Sequence, residues 1–263
     1  MENNTCLNCG HALQGHFCSQ CGQSAHTHRI TFRHFIFHTV LHGTFHFEKG
    51  MLFTARQALT RPGQAALDYI KGKRVNYYNV FYFVLILIGM NLLLSHLFET
   101  LALRFNASAI TKADMNEVGK KVYHIFSDYG KLFVFALVPI TSLNSYLIFK
   151  RKKLNLTEHF VISGMWLLGV CLLITLYFVL KFSELWITSE TFADSLLIAF
   201  MVLVPLFIVF SYYNAFKKDY KSGGFFLRML LFFFLIILEF YTFIVILLGL
   251  LTNWQGGDVI IVL

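Results

Sequence analysis

Five apolar runs, each about twenty residues long, constrain this chain more than any other feature. They cover residues 79–98, 132–149, 160–180, 195–213 and 225–252. A hydrocarbon core about 30 Å thick takes about 20 helical residues to cross. Backbone N–H and C=O groups in lipid must be paired within the segment, so each run is expected to be a helix. Thirty Phe and 57% hydrophobic residues, against 14% charged, exceed what a soluble domain of 263 residues can bury. The expected fold class is therefore all-α, a polytopic membrane bundle of about five transmembrane helices. No repeat of 20–50 residues is evident, nor any inverted symmetry of the kind many transporters show. Pro139 and Pro205 fall inside the second and fourth runs, where proline bends a helix. Arg228, near the start of the fifth, is expected to snorkel to the interface.

Charge orients the bundle. Sixteen of the 22 Lys and Arg fall in the segment before the first run, in the 150–153 connection and around 217–228; the other six flank the opposite ends. The positive-inside rule then expects the N-terminus inside and the C-terminus outside, in the cytoplasmic (inner) membrane of the cell. The first long apolar run starts only near Asn79, so no signal peptide is expected. The formal net charge of +8 is concentrated next to the membrane, where it attracts anionic lipid headgroups; nucleic acid is an unfavoured partner. Three segments are expected: 1–24 a zinc ribbon, 25–78 an amphipathic, His-rich and basic juxtamembrane stretch, and 79–263 the transmembrane domain.

The sharpest local pattern is C-x2-C-x8-C-x2-C, formed by Cys6, Cys9, Cys18 and Cys21, with Gly10 and Gly22 directly after each pair. Each CxxCG reads as a tight knuckle in which glycine supplies a positive φ. Four thiolates close a tetrahedron and leave no open position for water, so the reading is a structural zinc ion, with redox or iron–sulfur chemistry as the alternative. Reduced thiols agree with a cytoplasmic N-terminus. The ribbon is either a folded clip or a docking surface for a protein partner. Cys171, alone in an apolar run, reads as a small core residue.

His34, His38, His42 and His46 recur every fourth residue and on a helix form a stripe roughly opposite Phe32, Ile36, Val40 and Phe47. The stripe suits an interfacial helix facing water or headgroups. Metal or haem ligation, or a pH switch, is the alternative. Further on, Pro62 can start a short helix and Gly72 can stop it. Lys71, Lys73 and Arg74 with Tyr77 and Tyr78 form a collar of charge and aromatic belt ahead of the first run, suited to anchoring or to binding a lipid headgroup.

Over about its first eighty residues the chain resembles a bacterial family of multi-pass membrane proteins grouped as a domain of unknown function. The resemblance is carried by the double CxxCG ribbon, the amphipathic segment, Glu48-Lys49-Gly50, Arg61-Pro62-Gly63, and Tyr69 with Gly72-Lys73-Arg74. Such proteins often have a proline just after the collar; this chain has Asn79-Val80. The resemblance implies an architecture and no reaction.

Within the apolar runs Glu239 stands out, eleven residues past Arg228 and thirteen before Thr252. An ionisable group at that depth is expensive and is a functional candidate by default. Asn91 lies at similar depth in the first run, so the two are expected to form either an interhelical clamp or a titrating site for protons or cations. No phosphate loop, H-E-x-x-H helix or G-x-S-x-G elbow is present, which disfavours an enzyme without excluding one. The leading expectation is a non-enzymatic membrane scaffold or regulator presenting a cytoplasmic zinc ribbon. A small transporter or channel centred on Glu239, and a lipid-handling protein, are the alternatives.

Overall fold

A computed structural model describes residues 5–27, 50–104, 117–187, 189–252 and 254. The histidine stripe at His34, His38, His42 and His46 lies outside the described residues. From Gly50 onward the described chain is helical: α1 (Gly50–Thr60), α2 (Pro62–Ile70), α3 (Val80–Arg104), α4 (Glu117–Ile148), α5 (Leu156–Lys181), α6 (Glu190–Phe216) and α7 (Ser222–Thr252). Single 3-10 turns follow α4 and α5.

Four of these helices are long and apolar enough to cross a membrane: α3, α5, α6 and α7. At about 1.5 Å per residue each is about 38 Å long or more, beyond the hydrocarbon core. The fifth expected span is the second half of α4. That helix begins at Glu117, well ahead of the apolar run, and its apolar part, Phe133–Ile148, reaches only about 24 Å. Lys120 and Lys121 ride on its first half. Hydropathy marks where a helix meets lipid, not where the helix starts.

Successive helices alternate in direction, so α3, α5 and α7 begin where α4 and α6 end. Two basic connections are fastened together at that end. Lys152 pairs with Asp219 at 2.8 Å, and the Arg151 amide donates to the Tyr220 hydroxyl at 3.0 Å. The guanidinium groups of Arg151 and Arg228 lie over the Tyr220 ring. Arg228 also donates to the Gly224 carbonyl, so the expected snorkelling residue turns back along its own helix.

The core sits at this same end, around the first half of α5. Asn155 and Glu158 form a reciprocal capping box that satisfies its first amides. Between Thr157 and Cys171 nearly every side chain of α5 is buried, among α1, α2, α3, α4 and α6. Phe149, Tyr212 and Phe216 stack beside it, with Phe149 and Phe216 centroids 4.6 Å apart. The second half of α5 and most of α6 and α7 are exposed along faces rich in Leu, Ile, Val and Phe, which suits lipid contact.

The corner made by α1 and α2 explains why the core is so crowded there. Pro62 occupies the first turn of α2, where its missing N–H is no loss. Gly72, at φ +97, closes a Schellman motif: its amide donates to the Tyr69 carbonyl and that of Lys73 to Asp68. The start and stop expected from Pro62 and Gly72 are both observed. Gly63 lets α2 touch the α6 backbone, because a Cβ there would collide with the Ser211 carbonyl and the Ala215 amide nitrogen. Gln64 fixes the register, its amide donating to Asn214 Oδ1 at 2.8 Å and its side chain to the Asn214 carbonyl at 2.5 Å.

Candidate metal centre and its seat on the bundle

Two knuckles with the same hydrogen-bond pattern, twelve residues apart, build the ribbon. The Cys6 amide donates to the His11 carbonyl, and the Gly10 amide to the Cys6 carbonyl, both at 2.8 Å. In the second knuckle Cys18 donates to Gln23 at 2.8 Å and Gly22 to Cys18 at 2.9 Å. Gly10 and Gly22 adopt φ +77 and +75, as the CxxCG pattern requires. An isolated antiparallel bridge frames each knuckle, Thr5 with Ala12 and Phe17 with Ser24.

The knuckles face each other through sulfur. Cys6 Sγ lies 3.6 Å from Cys21 Sγ, and Cys9 Sγ lies 3.6 Å from Cys18 Sγ. All four Sγ atoms fall within 4.8 Å of one another. These separations are far beyond the roughly 2.05 Å of a disulfide. They match the roughly 3.8 Å sulfur–sulfur edges of a tetrahedron with bonds of about 2.3 Å.

The thiols are also tuned unequally. Burial opposes ionisation of Cys6, but the amides of Cys9 and Asn8 outweigh it and bring the thiol down to about 7. The amides of Cys21 and Gln20 lower Cys18 as well. At Cys9 the His11 amide favours the thiolate, yet desolvation and the neighbouring sulfurs push the thiol up to about 12. Four sulfurs this close cannot all hold negative charge unaided, and a divalent cation removes the conflict. The donor set therefore fits a metal ion held by Cys6, Cys9, Cys18 and Cys21. With four protein ligands, such an ion would supply charge neutralisation and cross-linking, and no position for substrate.

The ribbon rests on the collar. Gln23, buried although polar, accepts the Arg74 amide on Oε1 at 3.1 Å. Leu7 lies directly against Gly72, and Thr27 flanks the same glycine. Arg74 turns inward, its guanidinium 5.3 Å from the Tyr69 ring centroid and its Nε donating to the Tyr69 carbonyl. Burial raises the Tyr69 phenol above its usual range and lowers the Arg74 guanidinium below its own. The three expected headgroup cations are thus separated. Arg74 supports the ribbon, Lys73 pairs with Asp68 at 3.8 Å, and Lys71 is exposed.

A family model described as "Protein of unknown function (DUF3667)" matches residues 48–90. The matched segment contains α1, α2, the collar and the first part of α3, and so includes three of the motifs that carried the resemblance. The ribbon lies outside it. No curated protein and no solved structure matches the chain.

The expected pairing of Glu239 with Asn91 is not what the structure shows. Asn91 is buried between α3 and α5, donating to the Cys171 carbonyl at 3.2 Å and accepting from the Thr175 hydroxyl at 2.8 Å. Glu239 Oε2 instead accepts from Asn144 Nδ2 at 2.9 Å. Helical side chains lean toward their own N-terminus. Helices α4 and α7 run in opposite directions, so Asn144 and Glu239 lean toward each other.

Sequence reasoning passed over the buried polar side chains around Asn144. Thr141, Ser142 and Ser145 share its stretch of α4, and Ser145 Oγ lies 2.7 Å from His159 Nδ1 on α5. Four polar residues in five positions of an apolar run were the available signal.

Proposed function

We propose that this protein is a non-enzymatic scaffold or regulator of the cytoplasmic membrane, built as a small zinc ribbon seated on a polytopic helix bundle. The observation that carries this reading is the seat itself: Gln23 to Arg74 and Leu7 to Gly72 join the cysteine site to the collar from which α3 departs. A metal that orders the ribbon thereby orders a surface at the membrane. Zinc suits four thiolates better than harder cations do. Residues 1–24, 25–78 and 79–263 act as ribbon, juxtamembrane segment and membrane domain. In this reading α4 crosses as the fifth span. The basic end of the bundle and the ribbon face the cytoplasm, and the C-terminus lies outside.

Three measurements test the reading. Elemental analysis of the purified protein should find one zinc per chain. Reporter fusions after Lys153 and after Leu263 should give opposite signals. Neighbours crosslinked in membranes should be lost from Cys18→Ser while the helices remain inserted. Unchanged neighbours in that variant would remove the ribbon from the function.

A second reading, a small proton or cation transporter, draws support from Glu239 held by Asn144 beside the buried Ser145 and His159 pair. Its test is flux into vesicles containing a pH-sensitive dye, or an indicator for the cation. Equal background leakage from the parent and Glu239→Gln ends the transport reading.

A further inference from the structure

We infer that the cleft between the ribbon and the α1–α2 corner binds one phosphate group, with a membrane lipid as its principal source. This rests on the seated ribbon proposed above, because Asn8, within the first knuckle, forms one wall. The opposite walls come from Phe53 of α1, Arg61 at the corner, and Asp68, Lys73 and Tyr77 of α2 and the collar. The cleft volume is about 130 Å³, below the roughly 300–1,000 Å³ of pockets for drug-sized ligands. It has room for a small polar group.

Charge and hydrogen bonding in the cleft favour phosphate. Asp68 is shared between two cations, with Arg61 Nη1 at 3.3 Å and Lys73 Nζ at 3.8 Å. One carboxylate against two cations leaves a net single positive charge, matching the single negative charge of a phosphodiester. The cation side chains remain 45% and 49% exposed, so both stay accessible from solvent. Gln57 accepts from Arg61 Nε and holds the guanidinium in place. A guanidinium fork with an adjacent ammonium is a strong arrangement for phosphate oxygens.

The third feature is an unused donor. The Tyr77 hydroxyl is buried and has no hydrogen-bond partner among the described residues, while its residue lines the cleft. A buried hydroxyl without a partner is costly, and a phosphate oxygen within its reach would recover that cost. Burial and the Asp68 carboxylate raise the Tyr77 phenol, keeping it a donor at neutral pH.

Position points to lipid. Lys73 precedes the first residue of α3 by only seven positions, while Tyr77 and Tyr78, expected as an aromatic belt, pack inward instead, Tyr78 into the core and Tyr77 against Phe53 and Tyr69. Headgroup phosphates lie just beyond the hydrocarbon, near where an apolar helix such as α3 enters it. The diacyl tail of a bound lipid would stay in the bilayer while its phosphate enters under the ribbon.

The test uses full-length protein in detergent, with its zinc content measured, titrated separately with short-chain phosphatidylglycerol, inorganic phosphate and phosphate-free diacylglycerol. Phosphatidylglycerol should bind and diacylglycerol should not. Arg61→Gln combined with Lys73→Gln should weaken binding at least tenfold, and Lys71→Gln should leave it unchanged. Asn8→Asp, which adds a negative charge on the ribbon wall without touching the corner, should weaken it as well. Binding of inorganic phosphate with the same residue dependence would keep the site and make free phosphate a ligand. Equal binding by parent and double variant, or an equal loss in Lys71→Gln, would overturn the inference even with zinc present. Binding through Arg61 and Lys73 in protein that contains no zinc would preserve the cleft and defeat the zinc ribbon instead.

Discussion

The ribbon and the bundle are held together by opposite means. Among residues 5–27 only Cys6, Cys18 and Gln23 are buried, and two of those present sulfur to the cluster. The bundle buries Phe149, Tyr212, Phe216, Phe232 and Met165 completely or nearly so, around a helix capped at its start. One part has ligands and almost no core; the other has a core and needs no ligand to close it. The two meet through the Gln23 to Arg74 hydrogen bond and the Leu7–Gly72 contact. Damage to one part should therefore spread little to the other.

The largest expected effect breaks that comparison if it fails to stay local. Stripping the metal removes a contribution of about 10–16 kcal/mol in small zinc domains, and replacing Cys18 by Ser weakens the same contribution by removing one of the four ligands. Hydrogen exchange should show amides of residues 5–27 losing protection while α3 and α5 keep theirs. Lost protection in α5 would mean that the bundle depends on the ribbon.

The converse perturbation is Gly63→Ala. Its methyl group would enter the α6 backbone at Ser211 and Ala215, and overpacking of this kind costs about 1–3 kcal/mol. Thermal unfolding in detergent should move to lower temperature while zinc content stays at the parent level. Loss of zinc in this variant would contradict the independence of the two parts.

Acidity should separate them too. Cys9, at about 12, keeps its proton at pH 7 and must release it to a metal. Below the Cys6 value of about 7, the Cys6 proton must leave as well. Protons compete with the metal, so ribbon stability is present at high pH and is lost as pH falls. Zinc affinity should rise by about tenfold per pH unit for each proton released. Competition with a chelator across pH 6–8 measures the slope, and a flat profile would exclude thiolate ligation.

The smallest effect sharpens the description of the bundle interior. Glu239→Gln keeps an acceptor for Asn144 and should leave stability nearly unchanged, whereas Glu239→Leu strands Asn144 at a cost of about 0.6–2 kcal/mol. Asn91→Leu serves as a comparison at a separate polar contact. If Glu239→Leu instead disturbs the α3–α5 contact, the two polar pairs are coupled.

Features governed by local chemistry were readable in the sequence. The cysteine spacing alone brings four sulfurs together, and Pro62 and Gly72 bound α2 because proline and glycine act within their own turns. The apolar runs locate α3, α5, α6 and α7 to within a few residues at most ends, since lipid demands continuous hydropathy. The start of α4 was not readable, because Lys120 and Lys121 are good helix formers that carry no hydrophobic signal. Nor was the partner of Glu239: depth along a helix follows from counting residues, but rotation about its axis and the direction of its neighbour do not. The seat of α2 on α6 rests on Gly63 and Gln64 meeting residues about 150 positions away, which no local pattern encodes.

That separation sets an order of events during synthesis. At about 5–20 residues per second, the ribosome takes about 8–30 s to travel from Gln64 to Asn214. The four cysteines can gather their metal at the beginning of that interval. Helices α1 and α2 must wait until α5 and α6 are both inserted, with the face around Ala65, Ala66 and Leu67 uncovered meanwhile. Docking of this corner is then a late event of assembly. Until it occurs, the nascent chain displays a folded head on an unfinished neck.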